Sequence, residues 1–180
     1  SSAAASNFQI NGGTLKFTGT NASTNHGISI SDTATINITK SGGSLALGGI
    51  ISGSGGTLVK DGLGQLSICY TATNLIKGVE LRNGVLAQGD WRAGFGTAPL
   101  HVTGTATFRF VTNQSMSTIP YMKQAVTVDS LAKLTIDGAY RAGLQGSFAG
   151  KGMVIVNAGG VRFDISSNFS KFEGNLHING

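Results

Sequence analysis

The chain has a single cysteine, Cys69, and two prolines among 180 residues. A lone thiol cannot close an internal disulfide, so a disulfide framework is excluded and cysteine usage says nothing about compartment. Charged side chains make up 12 %, against about a quarter in an average globular protein. That is too little charge for the wet faces of a helical bundle, and no stretch of a dozen residues carries a 3.6-residue apolar period. Apolar runs are short as well. Met153-Val154-Ile155-Val156 is among the longest, far below the roughly 18 consecutive apolar residues of a transmembrane helix. Thirteen Lys and Arg outnumber eight Asp and Glu for a net charge of +5. They form no basic run, and affinity for phosphate rests on clustered cations, so no nucleic-acid partner is expected. The opening Ser1-Ser2-Ala3-Ala4-Ala5-Ser6 lacks the basic and apolar regions of a signal peptide, which implies a removed signal or an excerpt from a longer chain.

What the chain does contain is glycine, 28 residues, about twice the usual share, together with 40 % hydrophobic residues. That apolar content is enough to pack a core and argues against disorder. The glycines recur in a phrase: Gly, often doubled, followed by alternating apolar and polar residues. Examples are Gly12-Gly13-Thr14-Leu15-Lys16-Phe17, Gly42-Gly43-Ser44-Leu45-Ala46-Leu47, Gly55-Gly56-Thr57-Leu58-Val59-Lys60 and Asn83-Gly84-Val85-Leu86-Ala87. Further runs alternate without the double glycine, among them Thr35-Ile36-Asn37-Ile38-Thr39, Val126-Thr127-Val128 and Leu134-Thr135-Ile136. A period of two buries one row of side chains and wets the next, the pattern of a half-buried strand. The Asn-Gly and Asp-Gly pairs at Asn11, Asp61, Asn83 and Asp137 would suit the hairpins of a β-sandwich. Recurrence of the glycine phrase every 20 to 30 residues or so favours a solenoid, whose coils share a cross-section but differ in corner loops. The expected fold is all-β, a parallel β-helix with Leu, Ile, Val and Phe in stacked interior rows.

The passage Ile51-Ser52-Gly53-Ser54-Gly55-Gly56-Thr57-Leu58-Val59-Lys60-Asp61-Gly62-Leu63-Gly64-Gln65-Leu66-Ser67-Ile68 resembles the passenger-associated transport repeat of bacterial autotransporters. In that repeat a Gly-Ser-Gly turn leads to a Leu-x-Lys strand, a Gly-x-Gly corner and a Leu-x-Leu strand. Asn74 to Leu86, closing on Asn83-Gly84-Val85-Leu86, is similar to its continuation. Phe148 to Val156 and Phe169 to Gly180 resemble later coil closings of the same passengers, whereas Cys69-Tyr70-Thr71-Ala72-Thr73 departs from the usual Ser-Gly-Asn turn. The resemblance implies a right-handed, pectin-lyase-like parallel β-helix, a single-stranded solenoid spanning 1–180 as a fragment of a longer one, with the best match over 51–86. It also implies secretion through the periplasm to the Gram-negative cell surface, flanking coils and a C-terminal translocator barrel in the parent chain. The role would be an adhesin or toxin stalk, with a host protein or glycan as partner and no cofactor.

Catalytic constellations are sparse. The eight carboxylates are scattered; Asp129 and Asp137 flank one strand run and would be the pair of a polysaccharide lyase or hydrolase, the enzymatic alternative, but both also suit turns. His26, His101 and His177 have no metal-ligand spacing, so no metal is expected. Gly146 to Gly152 misses phosphate-loop spacing. For ligand binding, Trp91 and Arg92 form the one local concentration of amphipathic groups, followed by Tyr121 in the loop Asn113 to Lys123, and by Tyr140 and Arg141. Open ends of such a solenoid would also favour end-to-end or edge self-association.

Overall fold

The computed structural model describes residues 8–69, 75–89, 96–111, 119–138, 140–160 and 162–180. Among these every element is a strand, all the strand pairs are parallel, and the chain winds as a β-solenoid of about 7 turns. No helix long and apolar enough to cross a membrane occurs among the described residues. The Asn-Gly and Asp-Gly pairs therefore serve parallel coils and not hairpins. Gly12, Gly62 and Gly84 take positive φ of 82°, 76° and 72° at corners, while Asp137 and Gly138 lie inside the strand Lys133–Gly138.

Three sheets form the walls. The first has ten strands, running from Gln9–Ile10 through Ile28–Ile30, Ile51–Asp61, Leu75–Leu81, Leu100–Val102, Ala125–Val128 and Ser147–Gly150 to Asn168–Phe172; Gly13–Phe17 and Thr33–Ile38 join alongside. The second has eight, from Asn21–Thr24 through Ser44–Leu47, Gln65–Ile68, Gly84–Gln88, Thr105–Phe110, Lys133–Gly138 and Met153–Asn157 to Asn175–Asn179. The third contains Tyr121–Met122, Ala142–Leu144 and Phe163–Ile165.

In-register stacking turns sequence alternation into columns. One interior column of the second sheet runs Ala22, Leu45, Leu66, Leu86, Phe108, Ile136, Val156 and Ile178. Its neighbours lie 20 to 28 residues apart, the extremes being Ile136 to Val156 and Phe108 to Ile136, so a coil has a fixed cross-section and a variable loop. In the first sheet Leu15, Ile36, Lys60, Leu81, Val102, Val128, Gly150 and Phe172 form another column. Interior members such as Ile36, Leu58, Leu66, Leu81 and Leu134 are wholly buried. Towards the C-terminal end aromatics take over the filling: Phe108 and Phe110 meet edge-on at 5.2 Å, and Phe148 stacks on Phe169 at 4.7 Å.

The long strand Ile51–Asp61 pairs with both Ile28–Ile30 and Thr33–Ile38, so it turns a corner without leaving the sheet. Gly53, with φ +127°, makes this bend; a Cβ there would collide with the carbonyl oxygen of Ile30. Gly56 is hemmed in by the same carbonyl, so the first and last glycines of the Gly-Ser-Gly-Gly phrase are steric requirements of coils packed backbone to backbone.

Leu58 tests the packing, since it is 0 % exposed between Ala34 and Val79. Leu58→Ala is expected to lower unfolding free energy by about 2–5 kcal/mol, and Leu58→Asp by more, because an unpaired charge would enter an apolar column. Chemical denaturation of the two variants checks the order.

Candidate functional site

Of the residues singled out from sequence, Trp91 and Arg92 lie outside the described residues, as does most of the loop before Tyr121, including Met116. The other three gather at the third sheet. Tyr121 stands in register with Gly143, which stands in register with Asp164. The tyrosine ring lies so close over Gly143 that a Cβ there would sit 2.6 Å from its Cε1, and Tyr121 is partly buried. Tyr140 is half exposed, at 50 %. Arg141 donates to Asp164 through Nη2 at 3.0 Å and Nε at 3.3 Å, and Arg162 Nε donates to the same carboxylate at 2.6 Å. The Arg162 hydrogen bond, followed by that of Arg141, holds the Asp164 carboxyl below its ordinary range.

Asp129 and Asp137 have different hydrogen-bond partners. Asp129 bonds His101 Nε2 at 2.8 Å on one wall. Asp137 sits on the outward row of a strand in register with Arg109 and Asn157. There Arg109 donates to Asp137 through Nη2 at 3.1 Å and to Gln65 Oε1 through Nη1 at 3.1 Å. Asn157 Nδ2 donates to Asp137 at 3.2 Å, and Asn179 Nδ2 to Asn157 at 3.0 Å. Gln65, Arg109, Asp137, Asn157 and Asn179 thus form a hydrogen-bonded row up the outside of the second sheet. Beside it lies a concavity of about 170 Å³ lined by Arg109, Asp137, Gly138, Asn157 and Gly159. Arg109 and Asn157 were not anticipated from sequence; the only available signal was their one-coil spacing from Asp137.

Such a row offers donors and acceptors side by side with its charges compensated. It can hold a polar ligand by hydrogen bonds, but each carboxylate oxygen of Asp137 already accepts a protein hydrogen bond, which disfavours a free general base. Among the described residues no group of three or more His, Cys, Asp or Glu is placed to hold a metal ion.

A second unanticipated feature is interior. Period-two alternation from Leu58 puts Lys60 inside, wholly buried between Ile36 and Leu81. Its Nζ donates to the carbonyl oxygens of Asp61 and Gly62 at 2.8 Å each and of Asn83 at 2.9 Å. All three ammonium protons are therefore used, and the corners of two successive coils are tied together. Burial pushes the Lys60 pKa down from 10.5 to about 8, against the opposing pull of Asp61. Asp61 is itself held below the usual carboxylate range, first by the Asn83 amide donating at 2.9 Å. On the same wall the Arg82 guanidinium, 2.7 Å from Glu80, holds that carboxyl low as well.

Comparison of the chain with models of known families, with characterised proteins and with solved structures finds no match. The fold is consistent with a pectin-lyase-like β-helix.

The unfolded lysine binds its proton more tightly than the folded one, so the charged form carries a folding cost that is complete below pH 8 and relieved as pH rises towards 10.5. The stability of the wild type relative to Lys60→Met is expected to grow over that window by roughly 3 kcal/mol. Paired denaturation curves at pH 7 and 10 measure it; a constant difference would mean that Lys60 titrates normally.

Proposed function

We propose that this chain is a non-catalytic structural and interaction segment of an autotransporter passenger, displayed at the surface of a Gram-negative bacterium as part of an adhesin or toxin stalk. The observation that carries the reading is the placement of the transport-repeat-like block within the coil. Its Leu58 and Leu66 point into the core, its Gly-Ser-Gly-Gly bends the first sheet, and Gly62-Leu63-Gly64 forms the corner before Gln65–Ile68. Each element of the motif therefore has a mechanical task in winding one coil onto the next.

The mechanism is mechanical. Each completed coil presents an in-register edge to the next, and burial of its apolar column contributes roughly 25 cal/mol per Å² removed from water. Folding that proceeds coil by coil outside the cell would bias export outward. The parent chain would supply flanking coils and a C-terminal translocator barrel, with a host protein or glycan as the partner of the displayed surface.

One observation favours a second reading, a carbohydrate-binding wall: the compensated polar row and its 170 Å³ concavity. Hydroxyl-rich ligands suit alternating donors and acceptors with little net charge. A polysaccharide-cleaving enzyme on this wall would further need a carboxylate released from its present partners.

Peptide mapping and intact mass of the native polypeptide, in outer-membrane and culture fractions, test the first reading. The expected result is that this segment is continuous with, or cleaved from, a chain carrying a C-terminal β-barrel. A native chain without a barrel would overturn it. Glycan-array binding lost in Arg109→Ala and retained in Trp91→Ala would support the second reading, whereas loss only in Trp91→Ala would move recognition to the loop.

A further inference from the structure

The strands that carry the concavity beside Arg109 are each paired on both sides. Thr105–Phe110 lies between Gly84–Gln88 and Lys133–Gly138, and Met153–Asn157 between Lys133–Gly138 and Asn175–Asn179. The concavity sits where the chain leaves the second wall, at the end of the column Ile68, Gln88, Phe110 and Gly138. Among the described elements the longest connections between strands, Ile68 to Leu75, Gln88 to Leu100 and Phe110 to Tyr121, start at this same corner on the three preceding coils. Long connections on a rigid scaffold are where recognition concentrates. Gly138 and Gly159 line the concavity itself, and a Cβ on Gly159, whose φ is +59°, would sit 3.0 Å from the carbonyl oxygen of Gly138.

The polar groups around it have a definite remainder beyond their hydrogen bonds to other described residues. Asp137 Oδ2 accepts from both Nε and Nη2 of Arg109, at 3.3 and 3.1 Å, and is saturated. Asp137 Oδ1 accepts only from Asn157 Nδ2, which leaves it a lone pair. Asn157 Oδ1 accepts only from Asn179 and also keeps a lone pair, while Asn157 Nδ2 keeps a proton. Arg109 keeps a proton on Nη1 and another on Nη2. Two acceptors and three donors remain among the described residues. They are carried by residues in register on successive coils, about 4.8 Å apart.

From this we infer that the concavity binds one neutral sugar ring of a glycan through a pair of vicinal hydroxyls; the inference rests on the carbohydrate-binding reading of this wall and names its ligand. Each hydroxyl has one proton to donate and lone pairs to accept with. Two neighbouring hydroxyls therefore donate to Asp137 Oδ1 and Asn157 Oδ1 and accept from Arg109 and from Asn157 Nδ2. An ionised acidic group has no proton to donate. It would leave both acceptors empty and bring a second anion against Asp137, while a cationic group would meet the Arg109 guanidinium. Size sets the rest. At about 170 Å³ the space is smaller than the roughly 300–1,000 Å³ of pockets that enclose a drug-sized ligand, so it takes one ring and not an extended polymer. The protein hydrogen bonds of Arg109, Asp137 and Asn157 hold the three side chains in place before a ligand arrives.

The test is an NMR titration of the isotope-labelled 180-residue chain, run beside the glycan array. The probes are the methyl glycosides of glucose, galactose and mannose, their derivatives with one hydroxyl methylated at a time, and glucuronate. At least one neutral glycoside is expected to shift the Asn157 side-chain amide and the Arg109 Nε signal saturably, with a Kd on the order of 1 mM. Methylating either of two adjacent hydroxyls should weaken it by about tenfold or more, as should Asp137→Asn and Asn157→Ala. Asn157 is only partly buried, so Asn157→Ala keeps the fold and the Arg109 to Asp137 pair, which its backbone spectrum verifies. Tighter binding of glucuronate than of every neutral glycoside, or full binding in both variants, would overturn the inference. Array binding that needs Arg109 while no single-ring glycoside saturates the site would leave the carbohydrate-binding wall standing and overturn the single-ring site. An array without Arg109-dependent binding would remove both.

Discussion

Everything in this molecule depends on one constraint: the backbone hydrogen bonds of a strand are made to strands of the neighbouring coils. A single coil has no partner within itself and cannot bury its apolar side alone. Stability therefore resides between coils, and any residue that breaks register affects two interfaces at once. The same constraint explains the composition. Columns ask for repeated residue types at a fixed place, corners ask for residues without a Cβ, and the walls need few charges because most of the wet surface is hydroxyl and amide. Gly53 shows the sharpest form of this, since its corner admits no side chain beside the Ile30 carbonyl.

Charge in such a structure is handled column by column. On the outer walls Arg109 and Asp137, Arg141 and Asp164, and Lys151 and Glu173 sit on successive coils and compensate one another. These exposed pairs add little individually to stability. They do help specify which coil lies on which, because a shift by one coil would part Arg109 from Asp137 and set it opposite Asn157. Among the described residues Lys60 is the charged side chain that is wholly buried, tolerated because three carbonyl oxygens at two corners receive its protons. Replacing it by a hydrocarbon would leave those carbonyls without that donor, so the lysine acts as a corner clamp whose cost is the lowered pKa.

The compensated walls bear on function. Because Asp137 and Asp164 are already paired with Arg109 and Arg141, either carboxylate would have to be released from its partner before it could act. Recognition by hydrogen bonding needs no such release, and the concavity beside Arg109 and Asn157 is a surface where it can occur. Mechanical coherence along the solenoid and recognition on its walls are compatible properties, since the columns that stiffen the coil also arrange polar groups at the regular spacing of about 4.8 Å between strands.

Alternation at Leu58 and Leu66, glycine at the corners and the recurrence of the phrase are local properties of the chain. They were enough to specify strands, their inward rows and the solenoid, because a strand's two faces follow from a period of two wherever the strand is placed. The inward Lys60 was not anticipated, because a lysine read alone suggests solvent, although it stands two residues from the buried Leu58. The pairing of Arg109 with Asp137, of His101 with Asp129 and of Arg141 with Asp164 was not legible. Asp129 and Asp137 looked like partners because eight residues separate them, whereas their true partners lie 28 residues away. Neighbours across coils depend on how many residues each corner loop absorbs, and that number varies from coil to coil. Only the closed path of the backbone through three dimensions sets it, and with it the polar row and the concavity.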